Sequence, residues 1–166
     1  MISLSKIIKG FDGYIIYDKP IPLFSETQLP CSVNPMLAYL SYKPLIYVAD
    51  SYPMDSFSIV QKADVYALCI PIELIDTFSF SKMLNPPTML IAYGKPLDVI
   101  KTTKRINGIK YIAVVEANVK YYDDINAFVC HMSSLGCHLV IVVNGSIKQL
   151  SYIIYKNTNV LFYENL

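Results

Sequence analysis

The stretch from residue 111 to residue 143, YIAVVEANVKYYDDINAFVCHMSSLGCHLVIVV, decides the fold of this chain. It opens with the run Tyr111–Val115 and closes with Leu139–Val143, and both are almost continuously apolar, as strands buried on both faces are. Between them, the segment Tyr122–Leu135 has two aspartates near its start and Gly136 after its end, which predicts a helix. A strand, a helix and a second strand in this order predict a right-handed crossover between parallel strands.

The same alternation repeats in the N-terminal two-thirds of the chain. Each apolar run there precedes a segment of helical length, and prolines stand where a first helical turn tolerates them. The pattern predicts an α/β fold, a doubly wound and mainly parallel sheet with helices on both faces. The further predicted strands are Gly13–Tyr17, Leu45–Ala49, Val65–Ile70 and Met89–Tyr93, and the prolines are Pro35, Pro53, Pro71 and Pro96.

The C-terminal end departs from this pattern. The runs Leu150–Tyr155 and Val160–Tyr163 are separated only by residues 156–159, Lys-Asn-Thr-Asn, a composition typical of a hairpin turn. We therefore expect the sheet to end in an antiparallel hairpin.

Composition indicates one domain over residues 1–166. Hydrophobic residues make up 54% and charged residues 16%, which excludes disorder, and the net charge of +1 supplies no strong field toward nucleic acid. No apolar run approaches the ~20 residues of a membrane span, and no signal peptide is recognisable. The four cysteines are too few for a disulfide framework, so we expect a cytoplasmic protein. They are Cys31, Cys69, Cys130 and Cys137.

One segment is similar to a damaged phosphate-binding loop. After the strand ending at Tyr93 come Gly94 and Lys95, followed later by Lys101 and Thr102. An intact loop needs a second glycine directly before its lysine, so that backbone amides curl around phosphate, and none is present here. The alternative is a tight turn and a helix with solvated lysines, and it is the reading that the missing glycine favours.

Two carboxylates stand at predicted strand ends, Asp50 after the second strand and Glu116 after the fifth. In open parallel sheets such ends line the ligand crevice, where paired carboxylates can hold magnesium or act as a base. Helix capping or exposure to solvent is the simpler role, and we favour it.

The sequence predicts neither a metal site nor a cofactor. Cys130, His131, Cys137 and His138 cluster within the chain, but a helix end, a turn and a strand start would point these side chains in different directions. Neither a G-x-S-x-G nor a G-x-G-x-x-G motif is present, so the usual signatures of hydrolases and dinucleotide-binding enzymes are missing. We expect a protein without catalytic activity, although the sequence leaves an enzyme open.

Over roughly residues 11 to 163, the order of elements resembles the RecA-type ATPase core of archaeal recombinase paralogues. The strand Gly13–Tyr17 matches the one that precedes the phosphate loop, and Leu45–Asp50 is similar to a strand that ends in an acidic residue. Tyr111–Glu116 resembles the Walker B strand with glutamate in place of aspartate, and Leu139–Asn144 resembles the strand that ends in a polar sensor residue.

The departures from that family are informative. The loop Asp18–Pro30 has no glycine and no Gly-Lys-Thr, and the unit Met89–Ile106 is an additional strand and helix. The resemblance therefore implies a core that has lost its phosphate loop and serves as a non-catalytic binding or scaffolding subunit of a nucleic-acid-processing assembly, for instance in DNA repair.

Three hypotheses of function follow: a scaffolding subunit with a protein partner, a small nucleotide- or ligand-binding enzyme that uses the crevice at the strand C-termini, and a homo-oligomeric structural protein. We expect nucleic acid to be reached only through a complex, and no membrane to be involved. The 14 tyrosines favour a partner surface because tyrosine offers rigid area with a polar tip. The predicted surface residues are Ile21, Leu23, Phe24 and Leu29 in the first long loop, and Val160 and Phe162 in the last strand.

Overall fold

The computed structural model describes residues 4–8, 11–17, 23–24, 31–32, 44–49, 65–75, 86–95, 108–118, 122–135, 138–144 and 160–164. Within these ranges the helices are α1 (Leu4–Ile7) and α2 (Tyr122–Ser134), and a 3-10 turn spans Ile72–Leu74. The strands are β1 (Tyr14–Tyr17), β2 (Cys31–Ser32), β3 (Leu45–Val48), β4 (Val65–Pro71), β5 (Met89–Gly94), β6 (Lys110–Asn118), β7 (His138–Asn144) and β8 (Val160–Glu164).

The described strands form one parallel sheet in the order β2-β1-β3-β4-β5-β6-β7-β8. Each neighbouring pair in that order runs parallel. The chain first moves from β1 outward to β2, then crosses back past β1 to β3, and from there adds every strand on the same side. The sheet thus changes its direction of growth once, between β1 and β3, and the predicted α/β sheet is confirmed.

Apolar continuity explains why these segments form parallel strands. All of β3 is buried, and so are Leu68 and Cys69, neighbours in β4 whose side chains project to opposite faces. A strand covered on both faces requires apolar residues at consecutive positions, which is the pattern that identified these segments. All six predicted strands outside the hairpin are present, with ends that differ from the prediction by no more than a few residues, whereas the short β2 was not predicted.

The C-terminal end differs from the expectation. β8 pairs in parallel with β7, from Leu139 with Val160 to Val143 with Glu164, so the described sheet does not end antiparallel. The other predicted arm of the hairpin, Leu150–Tyr155, lies outside the described residues. A parallel partner needs a crossover that returns the chain to the starting edge, whereas the turn composition of residues 156–159 pointed only to a local reversal.

One of the four prolines that were predicted to open helical segments lies among the described residues. Pro71 ends β4 and is the N-cap of the 3-10 turn, with φ −55°, a value that its ring fixes. Pro35, Pro53 and Pro96 lie outside the described residues.

Alternate residues of five strands form a single buried cluster on one face of the sheet. Leu4 and Ile8, at the N-terminus, and Phe24, in the connection between β1 and β2, pack on it. The intervening strand residues are buried too, so both faces of the central strands are covered. α2 packs against β6 and β7, and its Ile125 and Val129 are buried. The strand members of the cluster are Ile15, Tyr17, Ile46, Val48, Ala67, Cys69, Met89, Ile91, Ile112 and Val114.

The start of the β1–β3 pairing depends on Gly13. The backbone N–H of Tyr14 donates to the carbonyl oxygen of Pro44 over 3.1 Å, which brings the two chain segments together one residue before Leu45. A Cβ atom at position 13 would overlap that same oxygen and the ring of Phe11. Glycine is required here because backbone approaches backbone.

We therefore predict that Gly13→Ala lowers the free energy of unfolding by about 1 to 3 kcal/mol, the usual cost of overpacking. Urea denaturation measures it. Gly108→Asn is the matched control, because Gly108 has φ +79° with open space around it and asparagine tolerates that conformation. Equal stability of Gly13→Ala and the parent protein would contradict the close approach.

Candidate functional site

The C-terminal ends of the parallel strands meet along one edge of the sheet. In open α/β sheets ligands bind at this edge, in the crevice where the strand order changes direction. Here that place lies between β1 and β3. Tyr17 and Ala49 are the last described residues at the ends of these two strands, and both are buried.

A tyrosine from β5 reaches across this edge. The Tyr93 hydroxyl donates a hydrogen bond of 2.6 Å to the carbonyl oxygen of Ala49, although β4 lies between the two strands. Ala49 is also held from β4, because its backbone N–H donates to the carbonyl of Cys69 over 2.8 Å. The end of β3 is therefore bound to both β4 and β5, and its carbonyl oxygen is engaged by a side chain.

A second aromatic ring packs on Tyr93. Phe24 is 6% exposed, and its ring lies 5.4 Å from that of Tyr93 at an interplanar angle of 83°, the edge-to-face arrangement that aromatic pairs favour. Phe24 belongs to the connection that leaves β1 at this same edge. Two aromatic side chains, those of Tyr93 and Phe24, therefore pack together at this edge beside the end of β3.

The sequence-predicted phosphate residues are partly described. Gly94 is the last residue of β5 and pairs with Val115, and Lys95 follows as an exposed residue. Lys101 and Thr102 lie outside the described residues. The predicted loop therefore begins at the C-terminal edge, next to Tyr93.

The two predicted carboxylates belong to strands that are not neighbours in the sheet, since Asp50 follows β3 in the sequence and Glu116 lies in β6. Glu116 is exposed near the end of β6, and Asp50, just after Ala49, lies outside the described residues. β4 and β5 separate β3 from β6, which places their backbones three inter-strand steps apart, roughly 14 Å. The sheet order therefore does not bring the end of β3 and Glu116 together.

The predicted partner-surface residues lie in two parts of the fold. Phe24 is buried in the core cluster, and Leu23 is half-buried against it. In a sequence, apolar residues between prolines are compatible both with burial in the core and with contact to a partner. Val160 and Phe162 lie in β8, the last strand of the described order. Ile21 and Leu29 lie outside the described residues.

The cysteine and histidine positions do not form a described cluster. Cys130 is exposed and His131 half-buried in the last turns of α2, and His138 is exposed at the first position of β7. The Ser134 hydroxyl donates to the His131 carbonyl over 2.6 Å. Across the part of the chain that the structure describes, no three His, Cys, Asp or Glu residues are grouped to hold a metal ion. Cys137 lies outside that part.

Tyr93 is the site residue that sequence reasoning missed. Its position as an aromatic residue at a strand end, directly before Gly94, was the available signal, but it was read only as the end of a strand.

No protein-family model, no curated protein and no solved structure matches this chain. Among the described residues, no helix has the length and apolar character needed to cross a membrane.

Replacement of Tyr93 by phenylalanine tests the bond to Ala49. We predict that Tyr93→Phe lowers the free energy of unfolding by about 1 kcal/mol, because the ring contact with Phe24 remains while a partly buried hydrogen bond is lost. Urea denaturation is again the measurement. The control is Tyr14→Phe at an exposed position, where little change is expected. A Tyr93→Phe protein as stable as the control would show that the bond does not stabilise the fold.

Burial of Cys69 gives stability a pH dependence. Burial raises the pKa of its thiol well above the ordinary value of 9.0, since a thiolate would be desolvated there. The stabilising contribution is complete below the unfolded-state pKa and is lost as pH rises above it, because only the unfolded chain then ionises. We predict a fall in unfolding free energy above about pH 9 that is shallower in Cys69→Ala. Identical slopes in the two proteins would contradict this.

Proposed function

We propose that this chain is a non-catalytic binding or scaffolding subunit that acts with a protein partner or with further copies of itself. The observation that carries the proposal is the packing of buried Phe24 against Tyr93. At the edge where an α/β enzyme of this strand order would bind its substrate, two rings of the protein's own core pack together beside the end of β3. Packing of this kind favours recognition by an outer surface over chemistry within the sheet.

The finer architecture belongs to the same proposal. We take the sheet to be doubly wound, with helices on both faces. The change of direction between β1 and β3 supports the winding, because right-handed crossovers place the β1–β2 connection on the face opposite to the later ones.

A role beside an active ATPase is the form of this function that the RecA-like resemblance suggests. The loop after β1 has no glycine, and the segment after β5 has Ile100 where a phosphate loop would have a glycine before Lys101, which is consistent with a core that has no phosphate loop. With a net charge of +1, contact with nucleic acid would come through the assembly, as in a DNA-repair complex. The composition and the cysteine usage suit the cytoplasm.

The partner surface that we propose is β8. It is the last strand of the described order, and a strand at the end of a sheet can extend its hydrogen bonding to another chain. Val160 and Phe162 are its candidate apolar contacts.

Light scattering over a range of concentrations tests self-association through β8. We predict that the protein forms dimers or larger assemblies, and that Phe162→Lys raises their dissociation constant about tenfold or more by placing a charge in the interface. Asn126→Lys, an exposed position on α2, adds the same charge elsewhere and should change nothing.

If the protein remains a monomer at every concentration, the parent protein and Phe162→Lys are each purified from the native host. A protein that co-purifies with the parent but not with Phe162→Lys would be the partner that binds β8. A monomer whose co-purifying proteins are the same in both variants would contradict the proposed surface.

The alternative, a nucleotide- or ligand-binding enzyme, is favoured by the change of direction at β1 and β3, the usual place of an α/β ligand crevice. Titration calorimetry with magnesium ATP and GTP distinguishes the two functions. We predict no appreciable binding, because neither candidate loop supplies converging amides beside a lysine. A micromolar dissociation constant that Lys101→Ala abolishes would support the enzyme instead.

A further inference from the structure

The two outermost strands of the described sheet differ in length. β2 has two residues, Cys31–Ser32, whereas β8 has five, Val160–Glu164, and in the described order each has a neighbour on one side only. A strand of two residues offers few backbone groups to another chain, and a very short edge strand is one of the means by which native proteins prevent pairing at an edge. The edge formed by β8 has no such limit.

The residues of β8 include none of the other features that commonly protect an edge strand. The sequence VLFYE contains neither proline nor lysine, and its single charge stands at the last position, Glu164. β8 also pairs with β7 in one unbroken register, without a bulge that would turn the strand aside. Native proteins use these devices at edges that stay unpaired. An apolar edge of five residues without them is therefore suited to pairing with a strand of another chain.

Symmetry selects the strand that pairs best with β8. A second copy of the chain can offer its β2 or its β8. Pairing of β8 with β2 runs head to tail, uses two residues of the shorter strand, and leaves an edge at each end to which further copies can add. Pairing of β8 with β8 uses five residues of each strand and closes around a twofold axis that makes the two strands antiparallel.

We propose that the partner of β8 is β8 of a second copy, paired antiparallel about a twofold axis, so that the two sheets become one continuous sheet. The inference rests on the proposed function, because it assigns a partner and a geometry to the surface proposed there. Full overlap of the strands fixes the register: Phe162 lies opposite Phe162 of the second copy, and Val160 lies opposite its Glu164. An antiparallel strand beside an otherwise parallel sheet is a common arrangement.

Cysteine cross-linking with an added oxidant measures this register directly. Cα atoms of directly opposite residues in an antiparallel pair lie ~4.5 to 5.5 Å apart, within the ~4.4 to 6.8 Å that a disulfide spans. Phe162→Cys is therefore oxidised in a Cys130→Ser background, because Cys130 is exposed. Val160→Cys in the same background is the matched control, since its two copies would lie four residues apart along the strands, roughly 14 Å, too far for a disulfide.

We expect a cross-linked dimer from Phe162→Cys and none from Val160→Cys alone. An equal mixture of Val160→Cys and Glu164→Cys should cross-link, because the proposed register places these two positions opposite each other. The mixture retains Phe162, so it tests the same register if circular dichroism shows that Phe162→Cys does not fold.

Equal cross-linking of Phe162→Cys and Val160→Cys would overturn the inference. A cross-link between Phe162→Cys and Ser32→Cys would do so too, because it is the product of head-to-tail pairing with β2.

Failure of the inference is distinguishable from failure of the proposed function. Dimers that Phe162→Lys weakens, but that give none of the expected cross-links, would leave β8 as the partner surface and overturn its antiparallel pairing alone. A monomer that binds a different protein through β8 would have the same meaning. A monomer with no partner that depends on β8 would overturn both proposals.

Discussion

The structure depends on the burial of a parallel sheet on both faces. Each central strand has apolar residues at consecutive positions, so neither face tolerates water, and the connections must supply the cover. Leu4 and Ile8 near α1, together with Phe24, cover part of one face, and α2 packs beside β6 and β7. The hydrophobic free energy of these contacts offsets the conformational entropy that is lost when the long connections between strands become ordered.

The same burial extends to the C-terminal edge of the sheet, the edge at which open α/β sheets bind ligands. Phe24 and Tyr93 continue the core up to the strand ends, and the Tyr93 hydroxyl satisfies a backbone carbonyl there. The ring contact and the hydrogen bond of Tyr93 are two separate contributions to stability, which is why the ring and the hydroxyl must be varied separately.

Much of the fold could be predicted from sequence because continuous apolar runs are specific to strands buried on both faces. Tyr111–Val115 and Leu139–Val143 identified β6 and β7 in this way. β2 could not be predicted, since two residues, Cys31 and Ser32, carry no periodicity. Nor could the direction of β8, because pairing is decided by the return path of the chain and not by the residues of the strand.

The candidate site was less predictable for a related reason. Polar residues such as Glu116 attract attention in a sequence, but their convergence depends on strand order, which local patterns do not contain. Phe24 looked like a surface residue because prolines and a lack of periodicity surround it. It is buried in a cluster that draws residues from five strands, and its ring contacts Tyr93, far along the chain, with which no short-range signal connects it.

The change of direction between β1 and β3 has a consequence for synthesis on the ribosome. β1 lies between β2 and β3 in the sheet. Its second neighbour, β3, is complete only when residue 48 has been synthesised, several seconds after β1 at typical elongation rates of roughly 5–20 residues per second. Until then Ile15 and Ile16, which face opposite sides of the sheet, have no complete cover. After β3 the order becomes vectorial, because each new strand joins the edge that its predecessor has just formed. The nascent chain is therefore most prone to aggregation before β3 has been synthesised. Its tendency to aggregate falls with every strand that follows.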